Sequence, residues 1–195
     1  DSAIFEYLDG ELVIHHGRKF QVMTNSPSYD RQLALNEYWE EIGGLVFLPG
    51  TNRAADRFAR ASFLINAIPK EIDENYIRAI PGGTYDNQAA LAALSVIRAV
   101  SVPLGITTPD KPNISSTIWR SVADHKNRVY YFDSATSPNV FWVPLDDFDL
   151  SEGAEVKKLT VAGGRIYAGN AAADFKPARP FDFLPADPGQ GEKQK

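Results

Sequence analysis

Three observations predict an α+β fold for this chain of 195 residues. β-prone runs gather towards both ends, helical periodicity fills the middle, and tight turns join the strand runs. Such turns connect antiparallel neighbours, whereas parallel ones need a long crossover. Strands, then helices, then strands is the order in which helices segregate onto antiparallel sheet.

The elements follow in chain order. Ala3 to Tyr7 and Leu12 to His16 flank Asp9-Gly10, a two-residue hairpin signal. Phe20 to Thr24 reads as a third strand, ended by the turn formers Asn25-Ser26-Pro27-Ser28. From Asp30 to Ile42 the period becomes helical, with Leu35, Trp39 and Ile42 forming a stripe that Gly43-Gly44 ends. A short apolar run, Leu45 to Leu48, leads into Pro49-Gly50. Thr51 then caps a helix predicted from Asn52 to Ile68, with Pro69 just beyond. Pro81-Gly82-Gly83-Thr84 precedes an Ala-rich helix from Asp86 to Val100, apolar nearly all round and therefore expected to be buried on more than one face. Residues from Pro103 to Ser115 read as loop. Thr117 to Asp124 and Arg128 to Phe132, joined through Lys126-Asn127, form a second hairpin, followed by strands at Val140 to Leu145 and Val156 to Leu159. Residues 1–186 are read as part of one domain and the polar residues 187–195 as a disordered tail.

Composition narrows the function classes. Apolar residues make up 44% and charged residues 23%, close to the globular averages of about 45–50% and about 25%, which excludes disorder as the general state. With 14 glycines and 13 prolines the chain is not collagen-like. A net charge of −5 advertises no basic surface to nucleic acid or anionic lipid. The longest apolar stretch, Ala89 to Ile97, is far short of the roughly 20 residues of a membrane span. There is no cysteine, so this chain can form no disulfide, thiolate zinc site or cysteine nucleophile, and its redox compartment stays open. It begins Asp1-Ser2-Ala3, without a basic signal-peptide region, and its only methionine is Met23. The expectation is a processed product, a trimmed chain or a fragment.

The common catalytic signatures G-x-S-x-G, H-E-x-x-H, Walker A and G-x-G-x-x-G are absent. His15 and His16 are adjacent on a strand and point to opposite faces, so no metal site is assigned to them. His125 reads as a solvated turn residue, and Asn113-Ile114-Ser115 matches a glycosylation sequon of low specificity.

Two residues stand out. Asn25 sits where a strand stops, a position from which a rigid scaffold can aim an amide. Arg57 lies in line with Ala61, Leu64 and Ile68, and an arginine on an apolar stripe needs acceptors for its guanidinium. On the same helix Arg53 and Arg60 can be solvated, and Asp56 can pair with Arg60. The structural alternative is that Asn25 only turns the chain and Arg57 only anchors a loop.

The run Val22-Met23-Thr24-Asn25-Ser26-Pro27, then Leu48-Pro49-Gly50, then Ala55-Asp56-Arg57-Phe58 resembles the choloylglycine hydrolase and penicillin V acylase family. Ser2 to Glu6 resembles the strand before the first motif, and Ser116 to Phe132 resembles a late hairpin of the same fold. The resemblance covers most of this chain but only the C-terminal half to three-fifths of a family member. It implies an N-terminal-nucleophile hydrolase αββα sandwich of which only the C-terminal portion is present, so that unpaired sheet edges would make this portion aggregate or dimerise by itself.

The implied activity is hydrolysis of linear amide C–N bonds in a conjugated bile salt, penicillin V or a related N-acyl compound, without a metal or organic cofactor. An N-terminal cysteine forms an acyl-enzyme in such a mechanism. By resemblance Asn25 helps bind the oxyanion or holds the amine side of the site, and Arg57 sits beside the nucleophile. The resemblance singles out no substrate-binding residue. Since this chain has no cysteine, the implied partner is an N-terminal segment carrying it, missing or on another chain. Ser2 corresponds to an internal strand and is not its substitute. Asn25 and Arg57 lie 32 residues apart. Gram-positive bile salt hydrolases carry a much longer excursion there, used in tetramer assembly, so the short connection is more like Gram-negative members. It leaves a homo-oligomer open, as it does the choice between bacterial periplasm and cytoplasm. The competing reading is a catalytically dead binding or structural domain.

Overall fold

The computed structural model describes residues 2–17, 21–106 and 116–183. The expected tail at 187–195, the sequon at 113–115 and Phe20 lie outside them. Strands β1 (Ala3–Leu8) and β2 (Glu11–His16) pair antiparallel, Tyr7 opposite Leu12. Asp9 and Gly10 take φ of 52° and 87° between them, the left-handed pair that matches strand twist in a two-residue turn. Three helices follow: α1 (Tyr29–Glu41), α2 (Ala54–Ala67) and α3 (Tyr85–Ala99). They pack in series, α1 on α2 and α2 on α3, and α3 rests on β3. Strands β3 (Trp119–Asp124), β4 (Val129–Ser134) and β5 (Val140–Pro144) form an antiparallel meander, to which the two-residue β7 (Gly169–Asn170) adds in parallel beside β5. The short β6 (Lys157–Lys158) pairs with β8 (Lys176–Pro177).

Two apolar clusters hold these layers. Ile4 of β1, Tyr29 of α1 and Phe58 of α2 meet, with Val22 and Leu33 packed around them. In the second sheet Phe141, Val143 and Ala171 are buried against Phe132, Phe148, Tyr167 and Phe175.

Three sequence expectations need correction. Residues 21–24 are not a strand, since no described strand pairs with them; Val22 nevertheless packs on the first cluster. On α1 the apolar stripe is not the buried face: Leu35 and Ile42 are exposed, while Tyr29 and Gln32 are buried. Helix α2 starts at Ala54, two residues later than expected, because the Thr51 hydroxyl accepts from the Arg53 amide and donates to Asp56 instead of capping the first turn. Helix α3 buries Ala90 and Leu94 on one side and Gln88 on another, as expected of a helix buried on more than one face, and between them Leu91, Ser95 and Arg98 are exposed. At its start Thr84 does cap, accepting from the Asn87 amide at 3.3 Å.

The hairpin holds α1 through a carboxylate. Both Glu6 oxygens accept from the Tyr29 backbone N–H, at 2.9 and 3.1 Å. His15 Nε2 lies 2.9 Å from Glu6 Oε2, and since a carboxylate only accepts, this nitrogen carries the proton. Burial, and then the Glu6 charge, push the Tyr29 phenol above its ordinary pKa. Glu6→Ala should therefore lower stability by about 1 kcal/mol through the lost helix cap. Glu6→Gln, which keeps an acceptor, should lose less. The chemical denaturation midpoint reads both, and an unchanged midpoint in Glu6→Ala would show that the cap contributes nothing.

Candidate active site

Asn25 lies in the turn after residues 21–24, where the Ser26–Pro27 bond is cis, and Arg57 lies in the first turn of α2. The structure brings them together across the 32 residues that separate them: Arg57 Nη2 donates to Asn25 Oδ1 at 2.7 Å. Arg57 Nε donates to the Asn52 carbonyl at 3.2 Å. Helix α2 turns Phe58, Ala59 and Ala61 inward, which leaves Arg57 half-buried at the rim, with its fork facing the exposed Asn25.

This contact orients the amide. Guanidinium nitrogens can only donate, so the group that Asn25 turns towards Arg57 must be its oxygen. The Asn25 NH₂ group is left as the outward-facing end, ready to donate to an anionic or carbonyl oxygen. The pair therefore presents two N–H donors and a fixed positive charge along one rim.

Arg60 behaves differently from expectation. It is not a solvated partner of Asp56: its Nη1 donates to the Pro49 and Thr51 carbonyls, both at 2.8 Å, and its Nε to the Ala99 carbonyl at 3.3 Å. Burial lowers its pKa, against the opposing pull of Asp56. Its role is to fix the loop entering α2, and with it the base of the Arg57 turn. Arg53 remains exposed.

The remaining sequence candidates fall outside this rim. Ser2 Oγ donates to the Gly17 carbonyl at 2.9 Å, closing the hairpin. His15 is tied to Glu6, and its ring lies 4.9 Å from that of Tyr29, tilted by 42°. His125 is exposed in the β3–β4 turn. Among the described residues no three His, Asp or Glu side chains converge as a metal-ligand set, and no helix is long and apolar enough to cross a membrane.

A groove of about 360 Å³ runs between residues 2–5 and 21–23 and stops two residues short of Asn25. A larger cleft of about 650 Å³ opens against Tyr130 and Val143 of the second sheet and residues 148–157, and it includes neither Asn25 nor Arg57. Its size alone gives it no chemistry. Sequence reasoning passed over Gln32 and Thr24, which hold the Asn25 turn from below: Thr24 Oγ1 lies 2.9 Å from Gln32 Oε1 and 3.0 Å from the Ala54 carbonyl.

Residues 1–160 match the model of the linear amide C–N hydrolases, choloylglycine hydrolase family. The chain is 51% identical over 192 residues to a penicillin V acylase of Pectobacterium atrosepticum, covering 94% of this chain and 50% of that protein. It superposes on the structure of penicillin V acylase from Agrobacterium tumefaciens with a TM-score of 0.79 at 55% identity, covering 93% of this chain and 55% of that one. A conjugated bile acid hydrolase variant from Clostridium perfringens matches with a TM-score of 0.60 at 18% identity, over 82% of this chain and 51% of that one, and shows the fold alone. The chain thus spans about half the length of these relatives. The fold is that of an N-terminal-nucleophile hydrolase, and the nearer likeness to Gram-negative members expected from the short connection is consistent with these matches.

Proposed function

Because this chain belongs to the choloylglycine hydrolase family of linear amide C–N hydrolases, we propose that it supplies the Asn25–Arg57 side of an amide hydrolase site whose cysteine nucleophile lies in sequence outside these 195 residues. The observation that carries the reading is the 2.7 Å bond from Arg57 to Asn25 Oδ1, which leaves the Asn25 N–H donors facing outward. The relatives named penicillin V acylase favour penicillin V, or a similar N-acyl compound, as substrate over a conjugated bile salt.

The chemistry divides between the two parts. The thiolate attacks the amide carbonyl and the carbonyl oxygen becomes an oxyanion. Asn25 Nδ2–H donates to it, a bond that strengthens as the charge develops. The C–N bond breaks as the leaving amine takes up a proton, and water then releases the acid from the thioester. Arg57 holds Asn25 and keeps positive charge beside the sulfur, favouring thiolate over thiol. No cofactor takes part in this scheme.

The test uses the protein that carries the cysteine segment together with this chain. It should hydrolyse penicillin V, measured as release of the side-chain acid. Arg57→Lys should lower kcat by at least about tenfold, or roughly 1.4 kcal/mol of barrier. An ammonium keeps the charge but cannot reach the Asn52 carbonyl and Asn25 Oδ1 with one rigid fork. In Arg57→Ala the thiol pKa should rise, so less thiolate is present at a given pH and the acid limb of the pH–rate profile moves to higher pH. Arg53→Ala is the control. An equal loss at Arg53 would make Arg57 an ordinary structural arginine, and a parent protein that hydrolyses no N-acyl substrate would replace this reading with a catalytically dead binding domain.

A further inference from the structure

We propose that Gln32 is a positioning residue for the Asn25–Arg57 pair, acting through the backbone of residues 24–27; the proposal rests on the reading of Asn25 as an oxyanion donor. Gln32 is on α1, yet its side chain does nothing for that helix. The N-terminus of α1 is already held by Glu6 through the Tyr29 amide.

Gln32 is only 1% exposed. A primary amide this deeply buried is costly unless its oxygen and both hydrogens are paired, and here all are. Its Oε1 faces Thr24 Oγ1 at 2.9 Å, and its Nε2 donates to the Thr24 carbonyl at 3.3 Å and to the Pro27 carbonyl. These bonds end one residue before Asn25 and two residues after it. The Asn25 backbone is thus clamped from both sides by one buried group.

The clamp also refers the turn to α2. The Thr24 hydroxyl reaches the Ala54 carbonyl at 3.0 Å, at the first residue of the helix that carries Arg57 one turn later. A hydroxyl has one proton to donate, so Gln32 Oε1 and the Ala54 carbonyl share it. Segment 24–27, α1 and the start of α2 therefore meet at a single buried junction. An apolar side chain could fill the Gln32 volume, but it could not set the distance between Asn25 and Arg57.

A kinetic double-mutant cycle in the cysteine-bearing protein tests this. Gln32→Met removes the clamp and keeps similar volume. Its kcat should fall about tenfold with KM within about twofold of the parent, because the loss is in aiming a transition-state donor. In the Asn25→Ala background the same substitution should change kcat by less than about twofold, since nothing remains to aim. Thr24→Val should follow Gln32→Met, and Thr24→Ser, which restores the hydroxyl, should recover most of that loss. If Gln32→Met does not fold, Thr24→Val takes its place in the cycle. An unchanged kcat in the Gln32 or Thr24 variant, or the same fold-loss in both backgrounds, would overturn the proposal and leave Gln32 a packing residue. If Asn25→Ala itself retains parent kcat, the oxyanion reading fails and this proposal with it, which separates the two failures.

Discussion

Asn25→Ala should lower kcat by about 10²–10³, or roughly 2.7–4 kcal/mol of barrier, the usual cost of removing one oxyanion donor. The magnitude follows from the orientation of the amide. Its oxygen accepts from Arg57 Nη2 at 2.7 Å, so only the NH₂ end is left for the reacting carbonyl. A donor aimed at the oxyanion binds the ground-state carbonyl more weakly, so KM should change little. Asn25→Asp separates the donor from its alternatives. Aspartate is as good a turn former as asparagine and can still accept from Arg57. It offers no N–H, and places negative charge where the oxyanion forms. The aspartate variant should therefore be at least as slow as the alanine variant. If it retains a rate near the parent's, Asn25 serves only to turn the chain and to hold Arg57, and catalytic stabilisation must come from elsewhere.

The parts of this fold that are legible in the sequence are those whose causes are local. Asp9-Gly10 can hardly do anything but close a hairpin, and the ends of α1 fall within a residue of the expected ones because turn formers precede it and Gly43-Gly44 follows. Gly44 takes φ 54°, a left-handed conformation that favours glycine, so the stop is also a backbone requirement. What the sequence hides is which face an element buries. Helix α1 buries Gln32, and α3 buries Gln88, whose amide binds the Glu71 carbonyl and the Asp73 N–H, both at 2.9 Å. Both glutamines hold loops, and a hydrophobicity count reads them as solvent-facing. The two-residue β7 has no periodicity to detect; it exists because β5 offers an edge at Phe141 and Trp142.

The site shows the same division. Arg57 is recognisable as a candidate from a cation on an apolar stripe, and Asn25 from a turn after a strand-like run, although residues 21–24 form no strand. Their contact, and the junction at Gln32 beneath it, depend on how α1 and α2 cross. Arg60 and Arg57 are alike by type and differ in what surrounds them. Three backbone carbonyls take up Arg60, while Arg57 points its fork at a side chain.

Asp133→Ala should destabilise the protein by about 3–5 kcal/mol, the cost of removing one partner from a buried ion pair. Asp133 is 5% exposed, on β4 opposite Arg120 of β3. Its Oδ2 accepts from Arg98 Nε at 2.7 Å and from Arg120 Nη1 at 3.3 Å, joining the last turn of α3 to the second sheet. The two arginines do not share the loss equally. The Arg98 side chain is 49% exposed and can rehydrate, whereas that of Arg120 is 17% exposed and would be left with little beyond its 2.7 Å bond to Ser101 Oγ. Arg98→Ala should therefore cost only about 0–1 kcal/mol, as a largely screened pair does. Most of the Asp133 penalty is then an unpaired cation at Arg120, and removing that cation should recover stability. Arg120→Met combined with Asp133→Leu should be more stable than Asp133→Ala alone, since no buried charge is left without a partner. Denaturant midpoints at constant slope rank the variants. A double variant no better than Asp133→Ala would show that the carboxylate matters as a link between α3 and the sheet, with the Arg120 charge of little account.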